Sequence, residues 1–522
     1  MNTPRAPHTR REFLSAVGQG MLVASVGASL ASELGLGVAY ADEAVGSLSF
    51  GSLEPLVVLM QETPVERLLP TLVERLNQGT DLRTLVAAAA LANARTFGGE
   101  DYVGFHTMMA LAPAFHMSRE LPDERKALPV LKVLYRNTNR IHEHGGRSSE
   151  VLKPVTSAPV TTSGGEAMQA AVRSGDVERA ERTFAGLVQR SPEDGFNDLL
   201  FAVQDHTDVH RVVLPYRAWD LLGLIGRDHA HTLLRQSVRY CVKAESHGHG
   251  SHGDEPRALL PKLLDEHHLI DRAPGSQTAD DAWIEQMSQT IFRGTPSEAA
   301  EAAATALAEG FTPDAIGEAI SLAANQLVLR DMGRTPQGES PGKPIGSVHG
   351  DSIGVHACDS ANAWRNMSRA GNPRNVFACL IMGAYQVALD RGDRGGDFLH
   401  WDPLPVQRHL DQLKDTEPDR LLAQLNESIR GNMQARACAV VHRYGQLGHA
   451  PRGVFDLLLG YAISEDGALH GEKYYRTVSE EFAATRPAFR WRQLTALARV
   501  TASEFGRPAA GCEEARSLLK LA

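Results

Sequence analysis

The chain of 522 residues contains little cysteine, and this excludes two kinds of structure. Its five cysteines are odd in number, widely separated and never arranged as CxxC, so neither a disulfide framework nor a thiolate zinc site is indicated. Aromatic residues make up only 6% of the chain, and alternating apolar and polar runs rich in Val, Ile and Thr are nearly absent. Apolar residues instead recur at steps of three and four, which predicts an all-α protein.

Excess positive charge and the common catalytic motifs are also missing. The net charge is −10 and there is no long basic run, which argues against nucleic acid as a partner. The sequence has no Walker loop, no HExxH and no G-x-G-x-x-G after a strand. Beyond the N-terminus no run is long and apolar enough for stable membrane insertion, so we expect a soluble mature chain.

The N-terminus has the composition of a cleaved export signal. Arg10 and Arg11 in "TRREFL" precede a Gly/Ala-rich apolar run, and Ala39-Tyr40-Ala41 offers a signal-peptidase site. The paired arginines resemble the twin-arginine type. The alternative, a membrane anchor, is disfavoured by three polar interruptions of the run, at Gln19, Ser25 and Glu33. We therefore predict a signal peptide over 1–41, use of the twin-arginine export machinery, and a periplasmic or exported protein over 42–522.

Export by the twin-arginine route favours a bound metal or redox group, because that route carries chains already folded, often around a cofactor. The remaining chain shows one helical plan four times, over roughly 53–150, 164–270, 280–392 and 415–522. Each unit has two helices, a histidine-bearing segment and a closing helix. Repeated units of this kind stack into a single helical body. The alternative is that unrelated helices of an all-α protein resemble one another.

Histidine is abundant, with 21 residues, and four of these fall at the same step of the four units. If the units pack around one centre, these four side chains would converge on a metal ion. His206 and His210 would share one helix face, with Asp205 placed to orient a ring, and His349 and His356 lie two helical turns apart. The predicted metal ligands are His106, His206, His210, His349, His356 and His470.

The predicted cofactor is a transition metal, with iron preferred over zinc or copper, since neutral imidazole suits all three. Asp351 and Glu472 lie close in sequence to the predicted ligands and are candidates for catalytic proton transfer. Two structural interpretations stay open. A histidine at a helix start can cap the helix or fill the core, and Glu472 can simply favour the first turn of its helix.

Three segments are similar to the questin oxidase-like family. They are "GFHTMMALAPAFHM" (104–117), "GVHACDSANA" (354–363) and "ALHGEKYY" (468–475). The resemblance implies an all-helical fold with histidines spread along the chain, and an oxidative activity, because fungal members open polycyclic aromatic ketones in a Baeyer–Villiger-like step. The export signal departs from those intracellular enzymes, which leaves the substrate and the electron source undefined.

The sequence therefore predicts an exported, metal-dependent oxidoreductase that acts on a small organic molecule through a histidine cluster. A separate redox protein is a candidate electron donor. Two alternatives stay open: a non-enzymatic periplasmic helical scaffold or metal-binding protein, and a metal-free hydrolase or lyase that uses His/Glu acid–base catalysis. The distances between the repeat histidines discriminate best, because ligands of one ion must place ring nitrogens about 2 Å from a common point.

Overall fold

The structure is a computed structural model that describes residues 46–160, 163–246, 255–393 and 398–521. Within these ranges the chain forms 23 α-helices and no β-strand, so the all-α prediction is confirmed. The predicted signal peptide over 1–41 lies outside the described residues. Among the helices of the described ranges, none combines the length and the apolar character needed to cross a membrane.

The first half of the chain contains ten helices. They are α1 (Glu54–Glu62), α2 (Val65–Asn77), α3 (Leu82–Phe97), α4 (Tyr102–Ser118), α5 (Leu128–His144), α6 (Gly164–Arg173), α7 (Val177–Val188), α8 (Pro192–Val203), α9 (Val209–Ile225) and α10 (Ala230–Ser246). Aspartate side chains at the N-caps of several helices accept a hydrogen bond from a backbone N–H of the first turn. These aspartates include Asp81, Asp101 and Asp208. Such caps fix where a helix begins.

The second half contains thirteen helices. They are α11 (Glu255–Glu266), α12 (Asp281–Arg293), α13 (Pro296–Glu309), α14 (Pro313–Arg330), α15 (Ile353–Ala370), α16 (Pro373–Asp393), α17 (Gln407–Leu410), α18 (Pro418–Arg430), α19 (Gln434–Gln446), α20 (Arg452–Ser464), α21 (His470–Ala484), α22 (Trp491–Glu504) and α23 (Cys512–Leu518). The turn between α13 and α14 illustrates the local rules. Gly310 ends α13 with a positive φ of 92°, then Thr312 caps α14 and Pro313 opens it.

Four helices form the centre of the molecule. In sequence order they are α4, α9, α15 and α21, and each packs against the next, while α21 packs back against α4 to close the ring. Each is followed by a helix that packs against it, namely α5, α10, α16 and α22. This order follows the predicted units, although the fourfold repeat itself stays a prediction. The closed ring brings segments more than 350 residues apart in sequence to one place.

The hydrophobic core is nearly continuous. One cluster of buried side chains includes residues from Leu48 to Ala515 and thus from all four predicted units, and a small second cluster lies at Ile284, Ala315, Leu322 and Phe489. Trp364 on α15 is fully buried, and its Nε1 donates to Gln386 Oε1 at 2.8 Å. All five cysteines are buried and free.

Candidate functional site

The four repeat histidines all lie near the N-terminal ends of the central helices. His106 is the fifth residue of α4, His210 the second of α9, His356 the fourth of α15 and His470 the first of α21. Asp101, Asp208 and Ser352 cap the first three of these helices, so the local sequence fixes where each histidine falls on its helix. Because the four helices pack in a ring, their histidine side chains meet.

The four imidazole rings form a closed cluster, called here the histidine cluster (His106, His210, His356 and His470). Ring centroids are separated by 4.9 Å from His106 to His210, 5.9 Å from His210 to His356, 5.4 Å from His356 to His470 and 5.1 Å from His470 back to His106. The Nε2 atoms of His356 and His470 are 3.4 Å apart. The rings therefore surround one small space.

Burial keeps three members of the histidine cluster, His106, His210 and His470, neutral at pH 7. Loss of solvent lowers the pKa of His210 to about 4, and it lowers the pKa of His106 and of His470 below the usual range, with the positive charge of Lys473 acting in the same direction. His106 Nδ1 lies 2.7 Å from the carbonyl oxygen of Tyr102. Since a carbonyl only accepts, Nδ1 carries the proton and Nε2 keeps its lone pair.

A buried lysine stands beside the cluster. Lys473 follows His470 by one helical turn, is 3% exposed, and interacts electrostatically with three of the four histidines. Burial lowers its pKa to about 8, an effect that the negative charge of Asp359 opposes. Asp359 in turn accepts a hydrogen bond of 2.7 Å from Thr477. Sequence reasoning missed Lys473, although its spacing of three from His470 was a usable signal.

A cavity of about 360 Å³ opens beside His210. Its lining combines the aromatic rings of Tyr102, Phe105 and Tyr240 with polar and charged side chains, which include His206 and Asp208. Tyr102 is 57% exposed, and its ring centroid lies 4.4 Å from that of His106. Small-molecule sites are typically apolar cavities of about 300–1,000 Å³ with a few polar groups. The cavity therefore gives a small ligand a route to the edge of the histidine cluster.

The two other predicted ligands lie outside the cluster. His206 precedes α9, so it does not share a helix face with His210, and its Nδ1 accepts the backbone N–H of Asp208 at 3.1 Å. His349 is buried before α15, with Nδ1 3.8 Å from Glu504 Oε1. The predicted orienting residue, Asp205, instead accepts hydrogen bonds from Gln169 and Arg173.

The two predicted catalytic carboxylates are each held by cations. Asp351 accepts hydrogen bonds from Arg334 and Lys343, and although burial opposes the effect, these bonds lower the pKa of Asp351 to about 2. Glu472 is fully buried and pairs with Lys132 at 2.7 Å. The structure thus places both carboxylates in ion pairs. Their catalytic role stays a prediction.

As placed, no three His, Cys, Asp or Glu side chains of the described residues form a group that could hold a metal ion. Coordination of one ion by the histidine cluster would thus require its rings to turn. The distances between the ring centroids already suit four ligands of one ion. No protein-family model, curated protein or solved structure matches the chain. The fold and the site define an all-α protein with four histidines that meet at the centre of a helix ring.

Proposed function

We propose that this chain is an exported, metal-dependent oxidoreductase whose histidine cluster holds one transition metal ion. The observation that carries the proposal is the convergence of four imidazoles from four helices. Imidazole nitrogens bind such ions at about 2.0–2.1 Å, which places the centroids of four rings roughly 5 Å apart. The centroid separations along the ring run from 4.9 to 5.9 Å. To bind one ion, the rings therefore need to reorient, whereas the helices that carry them do not need to move.

The protonation of the cluster supports the same proposal. Metal ligation requires neutral imidazole, and burial already keeps His106, His210 and His470 neutral. An all-imidazole ligand set suits iron, copper, zinc or nickel, and iron is preferred because the proposed chemistry is oxidative. When bound, such an ion supplies electron transfer or activation of oxygen. The chain itself supplies the largely buried imidazoles and, in the cavity beside His210, a place for a small organic substrate.

Metal analysis of the full protein tests this proposal. Protein purified after native export should contain about one equivalent of a transition metal, and His210→Ala and His356→Ala should each lose it. His449→Ala is the matched control, because His449 bonds the Thr416 carbonyl from the turn between α19 and α20, outside the four central helices. Retention of metal in both cluster variants would overturn the proposal.

A redox titration separates the enzyme from the non-enzymatic alternative. In an oxidoreductase the bound ion should change oxidation state with dithionite and dioxygen, and the change should be visible in the optical or EPR spectrum. A redox-inert ion, bound in the same stoichiometry, would contradict the oxidoreductase and favour a metal-binding protein. Full activity towards a substrate after complete chelation would instead favour the metal-free hydrolase or lyase.

A further inference from the structure

Asp208 connects the histidine cluster, the cavity beside His210 and the start of α9. Its Oδ2 accepts the backbone N–H of Arg211 at 3.0 Å and the hydroxyl of Tyr240 at 2.6 Å. Its other oxygen, Oδ1, lies 3.8 Å from Nδ1 of His210. One oxygen is therefore fixed by two donors, and the second is directed towards a ring of the cluster.

We propose that Asp208 is a positioning residue that sets the ring orientation and the tautomer of His210, a role that rests on the proposed metal function. The separation of 3.8 Å exceeds a hydrogen bond, but a small turn of the imidazole closes it. With Nδ1–H directed at Asp208, Nε2 lies on the far side of the ring and keeps its lone pair for the ion. Histidine ligands commonly donate their second N–H to a carboxylate or carbonyl.

The same arrangement occurs on the neighbouring helix. His106 donates its Nδ1–H to the carbonyl of Tyr102, which leaves Nε2 buried within the cluster. Asp208 would give His210 the matching anchor, with a carboxylate in place of the carbonyl. Two adjacent histidines would then present Nε2 to the same space.

The cations around Asp208 have other partners. The guanidinium of Arg211 bonds the Ala202 carbonyl and Glu245, and Lys243 Nζ donates to the Glu100 carbonyl. The carboxylate is therefore available to act on His210. The Tyr240 hydroxyl also distinguishes Asp208 from an ordinary helix cap, because it fixes the rotation of the carboxylate. Asp176, for comparison, caps α7 at an exposed position through the N–H of Arg179.

Cobalt binding to three variants of the full mature protein tests the proposal. Asp208→Asn keeps the helix cap but removes the charge, since asparagine caps as well as aspartate. It should bind Co²⁺ about 10–100-fold more weakly and alter the visible Co²⁺ spectrum, as losses of such outer partners do. Tyr240→Phe should give a smaller change in the same direction. Asp176→Asn, the matched cap control, should behave as the wild type.

A second readout needs no metal. In metal-free protein labelled with ¹⁵N-histidine, the resonance of His210, identified by its loss in His210→Gln, should report the Nδ1–H tautomer, and Asp208→Asn should shift it. Unchanged Co²⁺ affinity and an unchanged tautomer in Asp208→Asn would overturn the inference while leaving the metal function intact. If the wild type binds no Co²⁺ or other transition metal, the proposed function fails, and the tautomer alone then decides whether Asp208 positions His210.

Discussion

Mild acid should destabilise the metal-free protein, because the buried histidines resist protonation. The pKa of His210 is lowered by burial to about 4, whereas an unfolded histidine titrates near 6.5. Well above pH 6.5 the His210 ring is neutral in both the folded and the unfolded state, so its titration does not change the free energy of unfolding. As the pH falls below 6.5 the unfolded state takes up a proton that the folded state does not, so stability is lost until the pH reaches the folded pKa.

The size of the effect follows from these two pKa values. Between pH 7 and pH 5 the difference for His210 alone amounts to about 2 kcal/mol of unfolding free energy. His106 and His470 shift in the same direction and add to the loss. Asp198 acts in the opposite direction, because burial raises its pKa to about 6. The net change in the wild type therefore cannot be assigned to one residue without a variant.

Urea denaturation at pH 7 and pH 5, with a chelator present, measures the effect. His210→Gln removes the titrating group and keeps a polar side chain, while all other groups, including Asp198, cancel in the comparison. Over this pH range the free energy of unfolding of the wild type should fall by about 2 kcal/mol more than that of His210→Gln. An equal loss in the two proteins would refute the placement of His210 as a largely buried, neutral imidazole.

Two further substitutions test the packing that supports the cluster. Gly350→Ala would place a new Cβ against the Cβ of His470, so it should cost about 1–3 kcal/mol of stability and weaken metal binding. Gly460→Ala is the control, because no atom lies within 4 Å of the new methyl, and it should be neutral or stabilising in thermal denaturation. Arg365→Met leaves Glu481 buried without its partner at 2.7 Å, which should cost about 3–5 kcal/mol in urea unfolding. A loss below about 1 kcal/mol would contradict the buried pair.

The helical class and the meeting of four histidines follow from patterns that a sequence carries well. Periodicity at steps of three and four is a local property, and it predicted helices throughout. The position of one histidine at the start of one helix in each unit is also local, and the closed ring of α4, α9, α15 and α21 then brings His106, His210, His356 and His470 together. The spacing predicts this meeting only if the four units pack around one centre, and the order of the helices around the ring meets that condition.

Contacts set by exact helix boundaries and by distant charges could not be predicted in this way. The spacing of four predicts that His206 and His210 share one helix, but Asp208 caps α9 and places His206 outside it. Glu472 lies two residues after a cluster histidine, yet it points to Lys132 on α5, 340 positions earlier in the chain. No local pattern marks such a partner. The role of Asp208 likewise depends on Tyr240 from α10.

X-ray absorption spectroscopy of the metal-loaded protein tests the central claim most directly, because it counts and identifies the ligands of the ion. The account predicts a shell of nitrogen neighbours at about 2 Å with the outer scattering pattern of several imidazole rings. The same spectrum from His356→Ala should lose part of that pattern. A first shell without imidazole scattering, or one unchanged in His356→Ala, would contradict a metal centre built from the histidine cluster.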